Sequence, residues 1–308
     1  MSKRIAAIVN PVSGRRSMLP EVQQIGRFLE NAGGTIDCCV TSGAGHATEI
    51  AAQLTGDIDA VLVAGGDGTV CEVINGLIGK SIPIVILGTG TENLFARELG
   101  MPLNPAQVAA TLLNGQVFDC DVGIANDQYF LAVAGVGFDA ECVMRLARRR
   151  QGHITHGDYF WPIWRTFWAH KFPALRVMAD NDCVFEGRGA VLIGLIGHYA
   201  AGLGVFPKAS LDDGLLDLCV LGCASRTELL GHAWRIFLKR HTRHTDVVYC
   251  QCHTIEIQSP DSVPIEIDGE VGGHLPLRCS VLPGAARFLR AQGPPNPLAR
   301  TPANRYNR

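Results

Sequence analysis

Four times in the first third of the chain, a strand-like apolar run ends in a glycine-rich turn and passes directly into a helix-like pattern. Arg4–Asn10 (RIAAIVN) leads through NPVSG into an amphipathic run with Val22, Ile25 and Leu29 at helical spacing. Thr35–Thr41 leads through SGAGHA into TEIAAQL, Asp59–Ala64 into GGDG, and Ile82–Leu87 through GTGTEN into LFAREL. Repeated strand–turn–helix units predict a parallel sheet with helices on both faces. In such sheets ligands gather outside the carboxyl ends of the strands, where these glycine turns lie.

From about Val117 the pattern changes to short strand-like runs: Tyr129–Ala134, Ala190–Ile196, Leu215–Leu221, Asp246–Cys252 and Val263–Ile267. Helical stretches near Ala140–Arg150 and Thr227–Lys239 interrupt them. The expected fold class is therefore α/β plus β: a parallel-sheet domain over residues 1–122, then a mostly antiparallel β-sandwich over 123–283. Residues 293–308, rich in Pro and Asn without periodicity, read as a disordered tail.

With 308 residues, 47% hydrophobic and 18% charged, the chain can bury the cores of two domains. A net charge of -2 gives no general reason to expect nucleic acid as a partner. Asn10-Pro11 ends the first apolar run far short of a signal peptide, and no run reaches the roughly 18 residues of a membrane span, so a cytoplasmic protein is expected. Eleven cysteines without a CxxC pair read as small buried hydrophobes. The densest group, Cys250, Cys252 and His253, has no second ligand pair at zinc spacing.

The third turn carries the most chemistry. After GGDG, Val70, Val73, Ile74, Leu77 and Ile78 mark one helix face, so Gly65, Gly66 and Gly68 deliver the chain into a helix N-terminus. Free N–H groups there favour an anion, and glycines let a phosphate approach the backbone. No lysine follows in Walker-A position. An acid inside a phosphate cradle implies an intervening cation, and Mg²⁺ accepts one or two carboxylates plus phosphate oxygens. The plainer alternative is that Asp67 only caps the helix.

The turns taken together resemble the diacylglycerol kinase catalytic-domain family, which includes bacterial lipid kinases and the sphingosine and ceramide kinases. The matching stretches are NPVSG (Asn10–Gly14), TSGAGHA (Thr41–Ala47), GGDGTVCEVINGL (Gly65–Leu77), GTENLFAREL (Gly90–Leu99), GVGFDA (Gly135–Ala140), DDGLLDL (Asp212–Leu218) and IDGE (Ile267–Glu270). The resemblance implies an ATP site in a cleft between the domains, built from Asn10, Pro11, Ser13, Gly14, Thr41, Gly65, Gly66, Gly68, Thr69 and Thr91. It implies that a last helix near Pro283–Ala291 packs back on the first domain, through about 284–292. It makes Glu270 the general base for the acceptor hydroxyl, with Asp67 organising Mg²⁺-ATP. It places a structural Mg²⁺ on Asp213, with Ser210 and Leu215 giving backbone oxygens. Asp121 and Asp139 match family acids, either orienting the cleft or purely structural. Gly88 stands where the family commonly has proline, and Leu94 where some relatives carry a second acid.

Asp158–Phe172 (DYFWPIWRTFWAHKF) sets Phe160, Trp161, Trp164, Phe167, Trp168 and Phe172 on one helical face and holds three of the chain's four tryptophans. Tryptophan with basic flanks suits a membrane interface; packing on the sheet is the other reading. The sequence thus points to an ATP- and Mg²⁺-dependent lipid kinase, peripheral to the inner face of the membrane. A lipid substrate, the membrane surface and a second copy in a homodimer are its expected partners. An NAD kinase, from the shared GGDGT, and a non-catalytic lipid or nucleotide sensor are the rival readings.

Overall fold

The computed structural model describes residues 2–14, 17–90, 92–148, 156–199 and 202–291, the side chains of 156–159 excepted. The chain divides into two compact units, one running to Cys120 and resuming at Gly284, the other spanning Asp121–Pro283.

The first unit is built from strands β1 (Arg4–Val9), β2 (Thr35–Val40), β3 (Ala60–Gly65) and β4 (Ile84–Gly88), all parallel, in the order β2-β1-β3-β4. Helices α1 (Leu19–Asn31), α2 (His46–Gln53), α3 (Asp67–Leu77), α4 (Leu94–Glu98) and α5 (Pro105–Asn114) connect them. Every residue of β3 is buried, as a strand covered on both faces must be. Ile5, Ala7, Val9, Leu62 and Val85 pack with Val22, Ile25 and Leu29 of α1 and Val108 and Leu112 of α5. Residues of the opposite parity, Ile8, Val61 and Val63, are buried too, on the face that carries α3.

Gly76 is where α2 and α3 cross most closely. A β-carbon there would lie 2.4 Å from the Thr48 carbonyl oxygen and 2.7 Å from Ala51 Cβ. Gly76→Ala is expected to destabilise the unit by about 1–3 kcal/mol through overpacking. An unchanged thermal unfolding midpoint would show that the two helices have slack.

The second unit begins in β5 (Gln116–Ala125), which starts in the first, and continues with β6 (Gln128–Phe130), β7 (Val133–Val136), α6 (Phe138–Ala147) and α7 (His156–Ala169). Then come β8 (Ala174–Ala179), β9 (Asp182–Gly194), β10 (His198–Tyr199), β11 (Leu203–Gly204), β12 (Leu216–Gly222) and α8 (Arg226–Phe237). The chain closes with β13 (Val247–Cys252), β14 (Thr254–Gln258), β15 (Pro264–Ile267), β16 (Glu270–His274) and β17 (Leu277–Arg290). The first half of β9 pairs with β8, and its second half with β12 and β7. One layer thus runs β13-β12-β9-β7-β15-β16, and the other runs through β8, β14 and the start of β17. Leu175, Val177, Ile255 and Ile257 of the second layer share one core with Val191, Ile193, Leu218, Val220 and Ile265 of the first. This is the antiparallel sandwich expected.

Three local expectations are corrected. The helix expected near Pro283–Ala291 is the end of strand β17. Its alternate residues Ala286 and Phe288 are buried, and Phe288 pairs in parallel with Ile84. Sheet pairing outweighs the helical preference of GAAR. The run Tyr129–Ala134 is split after Phe130, because the N–H groups of Leu131, Ala132 and Val133 donate to the Asp268 carboxylate. Phe172 leaves the aromatic face: it follows the helix, at φ 51°, and is buried against Cys223 and Leu229. The tail, 293–308, lies outside the described residues.

Candidate active site

In the first unit, the turns that follow β1, β3 and β4 hold one another. Asn10 Nδ2 donates to Thr69 Oγ1 at 2.9 Å, and Thr89 Oγ1 donates to Ser13 Oγ at 2.7 Å. Gly14 has φ +83°, and a β-carbon on it would stand 2.2 Å from the Thr89 carbonyl oxygen, so only glycine fits. A β-carbon on Gly66 would lie 3.4 Å from Gly90 Cα. Thr41, after β2, is buried and donates its N–H to the Val9 carbonyl at 2.9 Å. Pro11 lies in the turn after β1, and Val12 beside it is 81% exposed. Gly65 ends β3 against the Thr69 side chain, whereas Gly68 faces open space. The N-cap of α3, Gly66, brings no side-chain hydrogen bond to the helix start. Its first N–H groups are thus left to whatever binds there. Thr91 lies outside the described residues.

Asp67 does not cap its own helix. It is the first residue of α3, yet its carboxylate caps α4, accepting from the N–H groups of Leu94 (3.0 Å) and Phe95 (3.2 Å). Burial raises its pKa above the ordinary carboxylate value, against the lowering effect of those two amides. Asn93, which sequence reasoning left without a role, makes this possible. Buried at φ 48°, it bonds the Gly90 N–H and carbonyl through its amide, both at 2.8 Å. Its αL geometry, tolerated best by Asn after Gly, was the available signal. Glu72 was missed as well: it accepts from Gly45 N–H (2.9 Å) and Ala47 N–H (3.2 Å), so the start of α2 already has its anion.

In the second unit, Ile267 and Glu270 pair across a two-residue hairpin turn made of Asp268 (φ 47°) and Gly269 (φ 79°). Two successive positive φ angles are the Asp-Gly hairpin geometry whose twist matches the strands. Asp268 ties this turn to the Leu131–Val133 backbone through three accepted N–H bonds of 2.8–3.0 Å. Glu270 thus projects, exposed, from a fixed turn.

The loop 210–215 is equally well anchored. Asp213 Oδ1 accepts from Leu215 N–H at 3.0 Å, and Gln251 Nε2 bridges Asp213 (3.1 Å) and Asp217 (3.3 Å). Buried Asp121 accepts the Gly214 N–H at 2.6 Å, and Ser210 Oγ donates to Asp212 at 2.7 Å. Among the described residues no three acidic, histidine or cysteine side chains gather as a metal cluster. One carboxylate with flanking carbonyls is still a donor set that fits Mg²⁺, which keeps several waters.

Residues 4–125 match the Diacylglycerol kinase catalytic domain, and residues 132–290 match the YegS C-terminal NAD kinase beta sandwich-like domain. A diacylglycerol kinase of Staphylococcus carnosus (strain TM300) is 31% identical over 284 residues, 90% of this chain and 91% of its own. The chain belongs to the diacylglycerol kinase family. The diacylglycerol kinase of Bacillus subtilis (strain 168) is 29% identical, over 89% of this chain and 92% of its own. A diacylglycerol kinase structure from Bacillus anthracis str. Sterne shares the fold at a TM-score of 0.70 and 22% identity, over 97% of this chain and 98% of that one. A second structure from that strain reaches 0.77 at 25% identity, over 96% and 97%. The protein is a lipid kinase, and its family membership implies ATP use. The NAD kinase reading is set aside, since its one support, GGDGT, lies within a match that spans the catalytic domain.

Proposed function

We propose that the protein transfers the γ-phosphate of Mg²⁺-ATP to a lipid hydroxyl, diacylglycerol-like or sphingoid, at the inner membrane surface. The observation that carries this reading is the joining of the β1, β3 and β4 turns around an uncapped helix start, in a chain of this family. Asn10, Pro11, Ser13, Gly14, Thr41, Gly65, Gly66, Gly68, Thr69 and Thr91 line the nucleotide site. The glycines among them let phosphate oxygens approach the backbone without steric resistance from side chains. Asp67 orients the nucleotide as its metal complex, and its two amide bonds fix its direction. Asp213, with carbonyls of Ser210 and Leu215, would hold a structural Mg²⁺, whose charge offsets that of the surrounding aspartates. Glu270 accepts the acceptor hydroxyl's proton. A carboxylate is too weak a base for a free alcohol, but it suffices late in a loose phosphoryl transfer, when the hydroxyl has become acidic. Mass spectrometry of a mixed lipid extract incubated with enzyme and ATP tests the acceptor class. A phosphate gained by diacylglycerol or a sphingoid base supports the reading; a phosphate gained only by water-soluble alcohols contradicts it.

The membrane part of the reading rests on exposed aromatics. Phe160, Trp161, Trp164 and Trp168 of α7 are 46–69% exposed, as are Trp234 (61%) and Phe237 (64%) of α8. Arg226 joins the two helices, donating to the carbonyls of Phe167 and Trp168 with its guanidinium 5.6 Å from the Trp168 ring centre. Arg165 and Arg235 supply positive charge on the same helices. No described helix is long and apolar enough to cross a membrane, so an interfacial contact is the mode considered. Replacing both Trp164 and Trp234 by Ala is expected to weaken binding to vesicles of anionic phosphatidylglycerol by about tenfold or more. ATP binding should not change. Equal sedimentation of variant and parent with vesicles would remove these helices from the interface.

A further inference from the structure

The described residues hold a second carboxyl site that the mechanism above does not use. Glu266 is the polar residue of the alternating IEIDGE strand, yet it is fully buried. It pairs with Gly135 on β7, and a β-carbon on Gly135 would stand 2.7 Å from Glu266 Oε1 and 3.0 Å from Asp139 Oδ2. Glycine at 135 therefore leaves the space in which the two carboxyl groups approach each other. Asp139, in the first turn of α6, also accepts from the Tyr199 hydroxyl. Glu266 Oε2 accepts the Gly269 N–H at 2.8 Å, whereas Glu266 Oε1 has no hydrogen-bond donor.

Two ionised carboxylates side by side in a buried site would repel each other and lose their hydration, so one of them keeps a proton. That proton gives Glu266 Oε1 its missing partner, in the manner of coupled carboxyl pairs. Burial and the neighbouring acid both push Glu266 well above the ordinary carboxylate range. The other titratable groups facing the pair are the Tyr199 phenol, Asp268 in the turn and Cys142 on α6, the last pushed up to about 12 by burial and by Asp139.

Gly269 immediately precedes Glu270, and its N–H is the group Glu266 holds. We propose that Asp139 and Glu266 share one proton and act, through the Gly269 N–H, as positioning residues for Glu270. This rests on the reading of Glu270 as proton acceptor. Loss of the shared proton places two anions side by side and loosens the strand end that carries the turn. Activity should therefore decline on an alkaline limb set by the pair.

The test compares the parent with Glu266→Gln and Glu266→Leu for kcat and lipid KM across pH, with thermal unfolding and ATP binding followed in parallel. Gln supplies the bridging hydrogen at every pH. Glu266→Gln should keep kcat near the parent value at neutral pH and lose the alkaline limb. A buried acid with a raised folded pKa is destabilising increasingly as pH rises from the ordinary carboxylate range to that folded value. The unfolding midpoint of Glu266→Gln should therefore gain on the parent over this window. Glu266→Leu should lower kcat by about 10- to 100-fold, through misplacement of Glu270, with ATP affinity unchanged. Superposable pH profiles and unfolding midpoints for parent and Glu266→Gln would overturn the proposal, even if Glu266→Leu does not fold. Glu270→Gln, measured beside them, separates the two claims. If it is inactive while Glu266→Gln tracks the parent, the shared proton and the positioning role fail and the acceptor reading stands. If it is active, the acceptor reading fails and the unfolding data still decide the shared proton.

Discussion

Asp67→Asn should lower kcat/KM by about 10²–10³-fold, the scale of losing one preorganised electrostatic contact at a phosphoryl group. The fold should survive. Asn keeps an oxygen for one of the two α4 amides, Leu94 or Phe95, and turns an NH₂ toward the other. The stability cost is on the order of 1–2 kcal/mol, as for loss of a helix cap. Capping alone and metal organisation therefore separate cleanly. A residue that only caps α4 loses stability and keeps its activity at low temperature. One that orients the metal–nucleotide complex loses activity at every temperature, and Asp67→Glu, too long for both amides, should not restore it. Steady-state kinetics beside a thermal melt reads both quantities.

Glu270→Gln is expected to be the most severe exposed substitution, costing about 10²–10⁴-fold in kcat, the usual range for removing a general base. The side chain lies at the surface of a hairpin whose turn is fixed by Asp268 and Gly269, so neither the unfolding midpoint nor ATP affinity should move. The lipid KM should stay near the parent value, because the amide fills the same space. Transfer that falls less than about tenfold would mean that the proton leaves by another route.

The parallel-sheet unit was legible because its information is local. Each strand, turn and helix start occupies one short window, and β3 reads as a continuous apolar run because both its faces are covered. The partners of the acids were not local. Asp67 reaches amides 27 and 28 residues away on α4, and Asp268 reaches amides more than 130 residues away. Glu266 occupies a polar position in an alternating apolar strand, the pattern of a half-exposed edge. It is buried because β15 lies inside its layer, between β7 and β16, with α6 packed on it. The end of β17 read as a helix because GAAR carries that preference, and its pairing with β4 joins residues 204 apart, Ile84 and Phe288. Tryptophans on α7 were seen as a candidate surface from composition, but Trp234 on α8 entered only once Arg226 was found joining the two helices.

The central claim is that phosphate moves from ATP to a lipid hydroxyl under the joint control of Asp67 and Glu270. The most direct measurement is the partition of label after incubating the enzyme with γ-labelled ATP, Mg²⁺ and vesicles of mixed membrane lipids. The account predicts label in the organic phase with the parent enzyme and its loss with both Asp67→Asn and Glu270→Gln. Label that stays in the aqueous phase with the parent, or that reaches the lipid undiminished in the Glu270 variant, would contradict it.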